Sequence, residues 1–278
     1  MRSKLIPGNI KEGYIPSFFM DIAIPVLFVL AALIVFILFV LRPRMKRIVF
    51  PMPDNYQQLL ADYVKFYQRL DTNGKKDFDE RFERFISTVR ITGVNAIVED
   101  IDRVLIGAAA IIPVYFIKDW EYINLREVLL YPGHFNHDFD QHGEERGISG
   151  MVGTGPMQNV MIITKWELRQ GFIGNNYRNT AIHEFVHLVD KMDGTVDGVP
   201  ELLLERKYIS QWNHLVHTEI EKIKRGLSDI DYYGTTSPVE FFAVASEYFF
   251  EQQELFKQNH PELNEIMERI FVKKESQR

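Results

Sequence analysis

The chain has no cysteine among its 278 residues. That excludes a disulfide framework and any thiolate metal site, so a bound metal would have to rely on histidine and carboxylate. It also fits a reducing compartment. A basic surplus is missing too: 32 Lys and Arg stand against 38 Asp and Glu, for a net charge of −6. Nucleic-acid binders normally carry a basic face, so none is expected here. No internal repeat or low-complexity tract is visible, which sets aside solenoids and disordered linkers. What remains is ordinary: 46% apolar residues, enough for a sizeable core in one large or two small domains.

One stretch departs from that pattern. Residues 22–41, IAIPVLFVLAALIVFILFVL, carry no charge. As a helix they would span about 30 Å, the hydrocarbon thickness of a bilayer. The run is longer than a typical signal-peptide core and no small-x-small cleavage site follows Leu41, so it reads as an uncleaved anchor. Arg42, Arg44, Lys46 and Arg47 crowd its C-terminal end, against Arg2, Lys4 and Lys11 spread out before it. The positive-inside rule then places the large domain in the cytoplasm of a single-pass inner-membrane protein. Residues 1–21 form an N-terminal segment, 42–54 a proline-containing juxtamembrane linker, and 55–278 the main domain.

Within that domain the most informative stretch is YRNTAIHEFVHLVDKMDG, residues 177–194. His183, Glu184 and His187 form H-E-x-x-H, and on a helix the two histidines lie one turn apart on one face. Two neutral imidazoles so placed can share a zinc ion, while Glu184 reaches a water as general base. Asn176 reads as the N-cap and Gly194 as the C′ residue. By chance alone the five-residue pattern arises in roughly one or two chains per hundred of this composition. A third ligand, a substrate edge and a cleft must therefore come from elsewhere.

Apolar periodicity supplies the surroundings. Leu59, Leu60, Tyr63, Val64 and Tyr67 mark one amphipathic helix; Phe78, Phe82, Phe85, Ile86 and Val89 mark a second, after a turn at 71–74. A third helix is expected over 96–111, stopped by Pro113. Residues 122–131 read as a strand, 135–155 as a long polar, glycine-rich loop, and 157–166 as a second strand, one short connection before the H-E-x-x-H helix. A strand there can offer an edge to an extended peptide, or lie covered in the sheet interior. A further helix is expected over about 201–226 and a last amphipathic one over 263–271. His134, His137 and His142 read as solvated loop residues, and His214 and His217 as surface or packing residues.

The third ligand is sought in DYYGTTSPVEFFAVASEYFF, residues 231–250, whose second half reads as a helix. Glu240 lies in its first turn, but Ser237-Pro238-Val239-Glu240 is also a capping box with proline at N1, which alone would account for the glutamate. Glu247 lies two turns on, suited to supporting a ligating histidine. Asp190 and Asp193 are further candidates, and periodicity does not rank the four.

The runs HEFVHLVDKMDG and YGTTSPVEFFAVASEYFFE, with FYQRLD near residue 66 and LLYPGHF between, resemble the Mlc titration factor A family of bacterial zinc peptidases. The Tyr-then-Glu-Phe-Phe-Ala pattern is also similar to the catalytic domain of anthrax lethal factor. The resemblance implies one Zn²⁺ per chain on His183, His187 and Glu240, Glu184 as base, and Tyr233 as a hydroxyl serving the transition state. It implies an α+β zincin-like (gluzincin) domain, mostly helical with a small sheet, and aminopeptidase-like activity on a peptide or protein substrate. The residues themselves do not choose between exo- and endopeptidase action. Two departures stand out. The lethal-factor pattern has an acid where this chain has Val244, so support for the ligands must come from Glu247 or Asp190. The family also includes a soluble member that binds a glucose-transport repressor, whereas this chain reads as anchored. A regulatory binding protein whose zinc is only structural is therefore the alternative expectation.

Overall fold

The architecture is given by a computed structural model that describes residues 52–142, 146–174 and 178–272. The expected membrane segment lies outside these residues. Among the described ones, no helix is long and apolar enough to cross a membrane.

The described residues begin with α1 (Tyr56–Tyr63) and α2 (Lys65–Gln68), which share the expected apolar stripe; Leu60, Val64 and Tyr67 are buried. The turn expected at 71–74 is instead a helix start, with Asp71 as its cap. That residue opens α3 (Thr72–Thr88) by accepting from the Gly74 amide at 2.7 Å, and so starts the helix that buries Phe78, Phe82, Phe85 and Ile86. A strand that periodicity does not reveal, β1 (Arg90–Gly93), follows directly. Next comes α4 (Asp100–Ile111), opened by a reciprocal cap between Glu99 and Asp102. Pro113 falls, as expected, just beyond it, in a short 3₁₀ turn.

The strand expected over 122–131 is shorter: only β2 (Glu127–Tyr131) is extended, because Tyr122–Leu125 makes a turn that buries its aromatic and leucine. The expected loop hides β3 (Gly150–Val152), too short and glycine-flanked to show a two-residue period. β4 (Val160–Thr164) replaces the strand expected over 157–166. The sheet order is β1-β2-β4-β3, parallel except for the antiparallel β3. β4 is thus an interior strand, and the edge beyond it belongs to β3. Alternation divides the faces: Val128, Leu130, Met161 and Ile163 join the helical core, while Tyr131 and Ile162 pack with Phe135 in a smaller cluster.

β4 does not lead straight into the H-E-x-x-H helix. Thr164 caps an intervening α5 (Lys165–Ile173), and only then does α6 (Thr180–Asp190) begin. Four α-helices complete the described residues: α7 (Arg206–Lys224), α8 (Pro238–Glu251), α9 (Gln253–Asn259) and α10 (Pro261–Phe271). α6 lies between β3 and α8 and packs on both. The molecule is therefore mostly helical with a small mixed sheet, and its two richest motifs share one buried helix pair.

Candidate metal centre

The N-cap of α6 is Asn179 rather than Asn176. Its side chain accepts from the Ile182 amide at 3.2 Å, while its amide nitrogen donates to the Gly171 carbonyl at 3.2 Å and to Glu251 at 2.9 Å. The backbone N–H of Asn179 donates to Glu247 Oε2 at 2.6 Å. Fixed at its start in this way, α6 buries Ile182, Phe185, Val186 and Val189 in the core and turns His183, Glu184 and His187 towards α8 and β3. Gly194 closes the stretch in the left-handed conformation (φ 96°), as its C′ reading required.

α8 begins as read, with Ser237 Oγ accepting from the Glu240 amide at 3.2 Å and Pro238 in the first turn. The Glu240 carboxylate, however, does not close a capping box. Its Oε2 lies 3.0 Å from His183 Nε2 and 3.5 Å from His187 Nε2. The three donor atoms all fall within 4.8 Å of one another, and they form the only such group found among the described residues. Glu247 takes the other histidine nitrogen: its Oε1 sits 2.7 Å from His183 Nδ1, which leaves Nε2 to face Glu240.

Two nitrogens and one carboxylate oxygen converging on a point, with a cleft beside them, fit a three-ligand catalytic metal site. Neither competing aspartate belongs to this group. Asp190 accepts from the Gly198 amide at 3.0 Å, and Asp193 holds Thr195 and the Glu201 amide. His214 and His217 are exposed, as are His134, His137 and His142.

The electrostatics follow from this packing. Burial lowers the His183 imidazole, but hydrogen bonds to Glu240 and Glu247 outweigh it and raise the ring to about 10. Burial raises Glu240 as well, yet its two histidine contacts hold it far below the usual carboxylate range. Glu184 makes no such contact. Almost fully buried, it is raised by desolvation. The Tyr233 phenol is raised by burial and by Glu240, Glu184 and Glu247. It projects from a 3₁₀ turn (Tyr232–Thr235) capped by Asp231, and its ring stands 6.0 Å from that of His183. The structure thus brings all five expected site residues to one place.

Sequence reasoning missed β3, and with it Gly150. A Cβ there would lie 2.5 Å from Glu184 Oε1, so only glycine lets the strand approach the glutamate. The spacing Gly147, Gly150, Gly153 was the available signal. Also missed was the Arg178–Asp231 ion pair at the cleft mouth.

Comparison with known proteins agrees with this geometry. A relative from Synechocystis, described as an uncharacterized protein, is 26% identical over 236 residues, covering 80% of this chain and 84% of its own length. Mlc titration factor A of Escherichia fergusonii is 30% identical over 229 residues, 77% of this chain and 84% of that protein. That of Salmonella arizonae is 28% identical over 210 residues, covering 70% and 82%. The family model for the glucose-regulated metallo-peptidase M90 matches residues 41–272, and the chain belongs to that family.

Proposed function

We propose that this chain is a zinc-dependent peptidase of gluzincin type, tethered by residues 22–41 to the inner membrane with its catalytic domain in the cytoplasm. The observation that supports the reading best is the convergence of His183, His187 and Glu240 beside a buried, unpartnered Glu184. Zinc on those three ligands would supply a Lewis acid that polarises a scissile carbonyl and makes water nucleophilic near neutral pH.

The chain's own residues supply the rest. Glu184 takes a proton from the attacking water and delivers it to the leaving amine, a role suited to a carboxylate raised by burial. Tyr233, kept protonated by burial and its acidic neighbours, donates towards the carbonyl oxygen as charge develops there. Glu247 holds the His183 ring in one tautomer, replacing the acid that Val244 lacks. β3 lies at the sheet edge against α6, where an extended peptide can add as a further strand.

The relatives' name favours a second reading, in which the domain sequesters a regulatory protein and its metal is structural. Glu184→Gln separates the two. The variant is expected to keep zinc, measured by metal analysis, and to lose cleavage by about 10²–10⁴-fold. Undiminished cleavage would remove Glu184 as the base; retained zinc with no cleavage by wild type would favour the second reading.

A further inference from the structure

Two cavities, of about 360 and 260 Å³, meet at the metal centre; a third shares no lining residue with either. It holds about 120 Å³ and lies between the end of α3, the end of α4 and the turn at 120–125. Half of its lining is buried and apolar: Phe85, Val89, Ile111, Val114, Tyr122 and Leu125. The exposed part is charged. Arg84 and Glu121 both line it, and neither has an ion pair or a side-chain hydrogen bond with any described residue. Arg81, the other charge, is spent on Asp77 and on the carbonyls of Val114 and Ile117, at 2.9, 3.3 and 2.8 Å. Trp120 lines the cavity as well, and its Nε1 is buried without an acceptor.

We propose that this third cavity is a binding site for a free amino acid with a branched apolar side chain, leucine being the type. An amino acid carries one ammonium, one carboxylate and one side chain on a single carbon, and the lining answers each. Glu121 is an unspent acceptor for the ammonium, and Arg84 an unspent fork of donors for the carboxylate. Trp120 Nε1 supplies a further donor, one that has no acceptor of its own. The apolar half takes the side chain, and its size sets the class. A cavity of about 150 Å³ holds benzene, so about 120 Å³ suits four carbons rather than an indole. A fatty acid needs more apolar length and has no use for Glu121. A sugar or nucleotide needs more polar partners than the lining offers.

The cavity wall also supports α6. The rings of Tyr122 and Phe85 meet that of Phe185 at 5.3 and 5.7 Å, and the Asn124 side chain donates to the Leu188 carbonyl at 3.0 Å. An occupant therefore bears, from the core side, on the helix that carries His183, Glu184 and His187. Binding needs neither metal nor turnover, so the site goes beyond the peptidase reading. Only the supply of its ligand, as a product of peptide hydrolysis, rests on that reading.

The test is calorimetric titration of the full-length protein in detergent with leucine up to about 10 mM, a ceiling suited to so small a ligand. Leucine is expected to bind equally to zinc-loaded and chelator-treated protein. Arg84→Gln and Glu121→Gln, both at exposed positions, should each raise Kd about tenfold or more. Isocaproate, which lacks the ammonium, and isoamylamine, which lacks the carboxylate, should show the same loss. Glycine, which lacks the side chain, should lose about a hundredfold. Hydrogen exchange should slow at 81–89 and 120–125 when leucine is bound. No binding of leucine by the wild type would overturn the inference. So would isocaproate binding as tightly as leucine, which would make this a site for plain acids. Binding that vanishes with zinc and is unmoved by the two variants would place leucine in the metal cleft, and would overturn it too. Peptide cleavage enters none of these readings, so a protein that cuts nothing can still bear the inference out.

Discussion

Two histidines in this molecule have nearly the same surroundings. His183 is buried between Glu240 and Glu247, at 3.0 and 2.7 Å. His260 is buried between Glu219 and Asp229, at 3.1 and 2.6 Å. A histidine between two carboxylates is therefore not in itself a sign of catalysis. The difference lies in what each carboxylate does next. Around His260 every partner is bound again: Glu219 to Lys222 at 2.9 Å, Asp229 to both Tyr248 and Asn259 at 2.7 Å. That cluster joins α7 to the start of α10 and, among the described residues, brings in no second histidine. Around His183 only Glu247 is so committed. Glu240 faces a second imidazole instead, and the group opens onto two cavities.

The largest expected effect comes from removing that open carboxylate. Glu240→Ala should lose zinc on gentle purification, read by metal analysis, whereas Glu247→Ala should weaken zinc affinity by about 10–100-fold while leaving the three ligands in place. The reverse order would mean that the closed partner, not the open one, holds the metal. Next comes Gly150→Ala. Its methyl would meet Glu184 Oε1 at 2.5 Å and Thr180 Cγ2 at 2.9 Å. Cleavage should fall by about 10²-fold with zinc content unchanged, since displacing a catalytic group by an ångström costs that much. Equal activity in the variant would show that the strand can yield.

The His260 cluster should respond in stability alone. His260→Gln leaves Glu219 short of a partner and should cost roughly 1–3 kcal/mol in denaturant unfolding, with zinc retained. Loss of zinc in that variant would erase the contrast between the two clusters. The smallest effect is the pH dependence. Burial raises Glu219, but His260, Lys222 and Ser228 outweigh it and hold the carboxyl at about 2. A carboxyl lowered on folding adds stability above its unfolded value, and that stability is lost as pH falls towards about 2. His260 is lowered by burial and raised more by its two carboxylates, so its contribution is complete below its ordinary value and fades as pH rises through the folded one. Unfolding free energy should therefore decline on both the acid and alkaline sides, and His260→Gln should flatten both limbs.

The helices and ligands were legible in the sequence for a physical reason. α3, α4, α6 and α8 each bury a continuous apolar stripe, and helical period survives in the order of residues. His183 and His187 lie on the same helix as one such stripe, on the face beside it. Glu240 was readable as a candidate, but its own residues explained it equally well as a cap. Only the docking of α8 against α6 removed that explanation. β1 and β3 were not legible because three or four residues are too few to establish a two-residue period, and the partner of β1 lies far along the chain. Gly150 shows the same limit: what demands glycine there is a carboxylate thirty-four residues later.

Asn179 and Glu247 carry a consequence for how such a molecule is made. One glutamate oxygen accepts from the amide of Asn179, the N-cap of α6, while the other orients a ligand, so the helix start and the histidine are set by a single side chain more than sixty residues away. Neither motif presents the site alone. A nascent or partly unravelled chain has the histidines without their glutamates, so the candidate metal centre exists only once α8 has closed on α6.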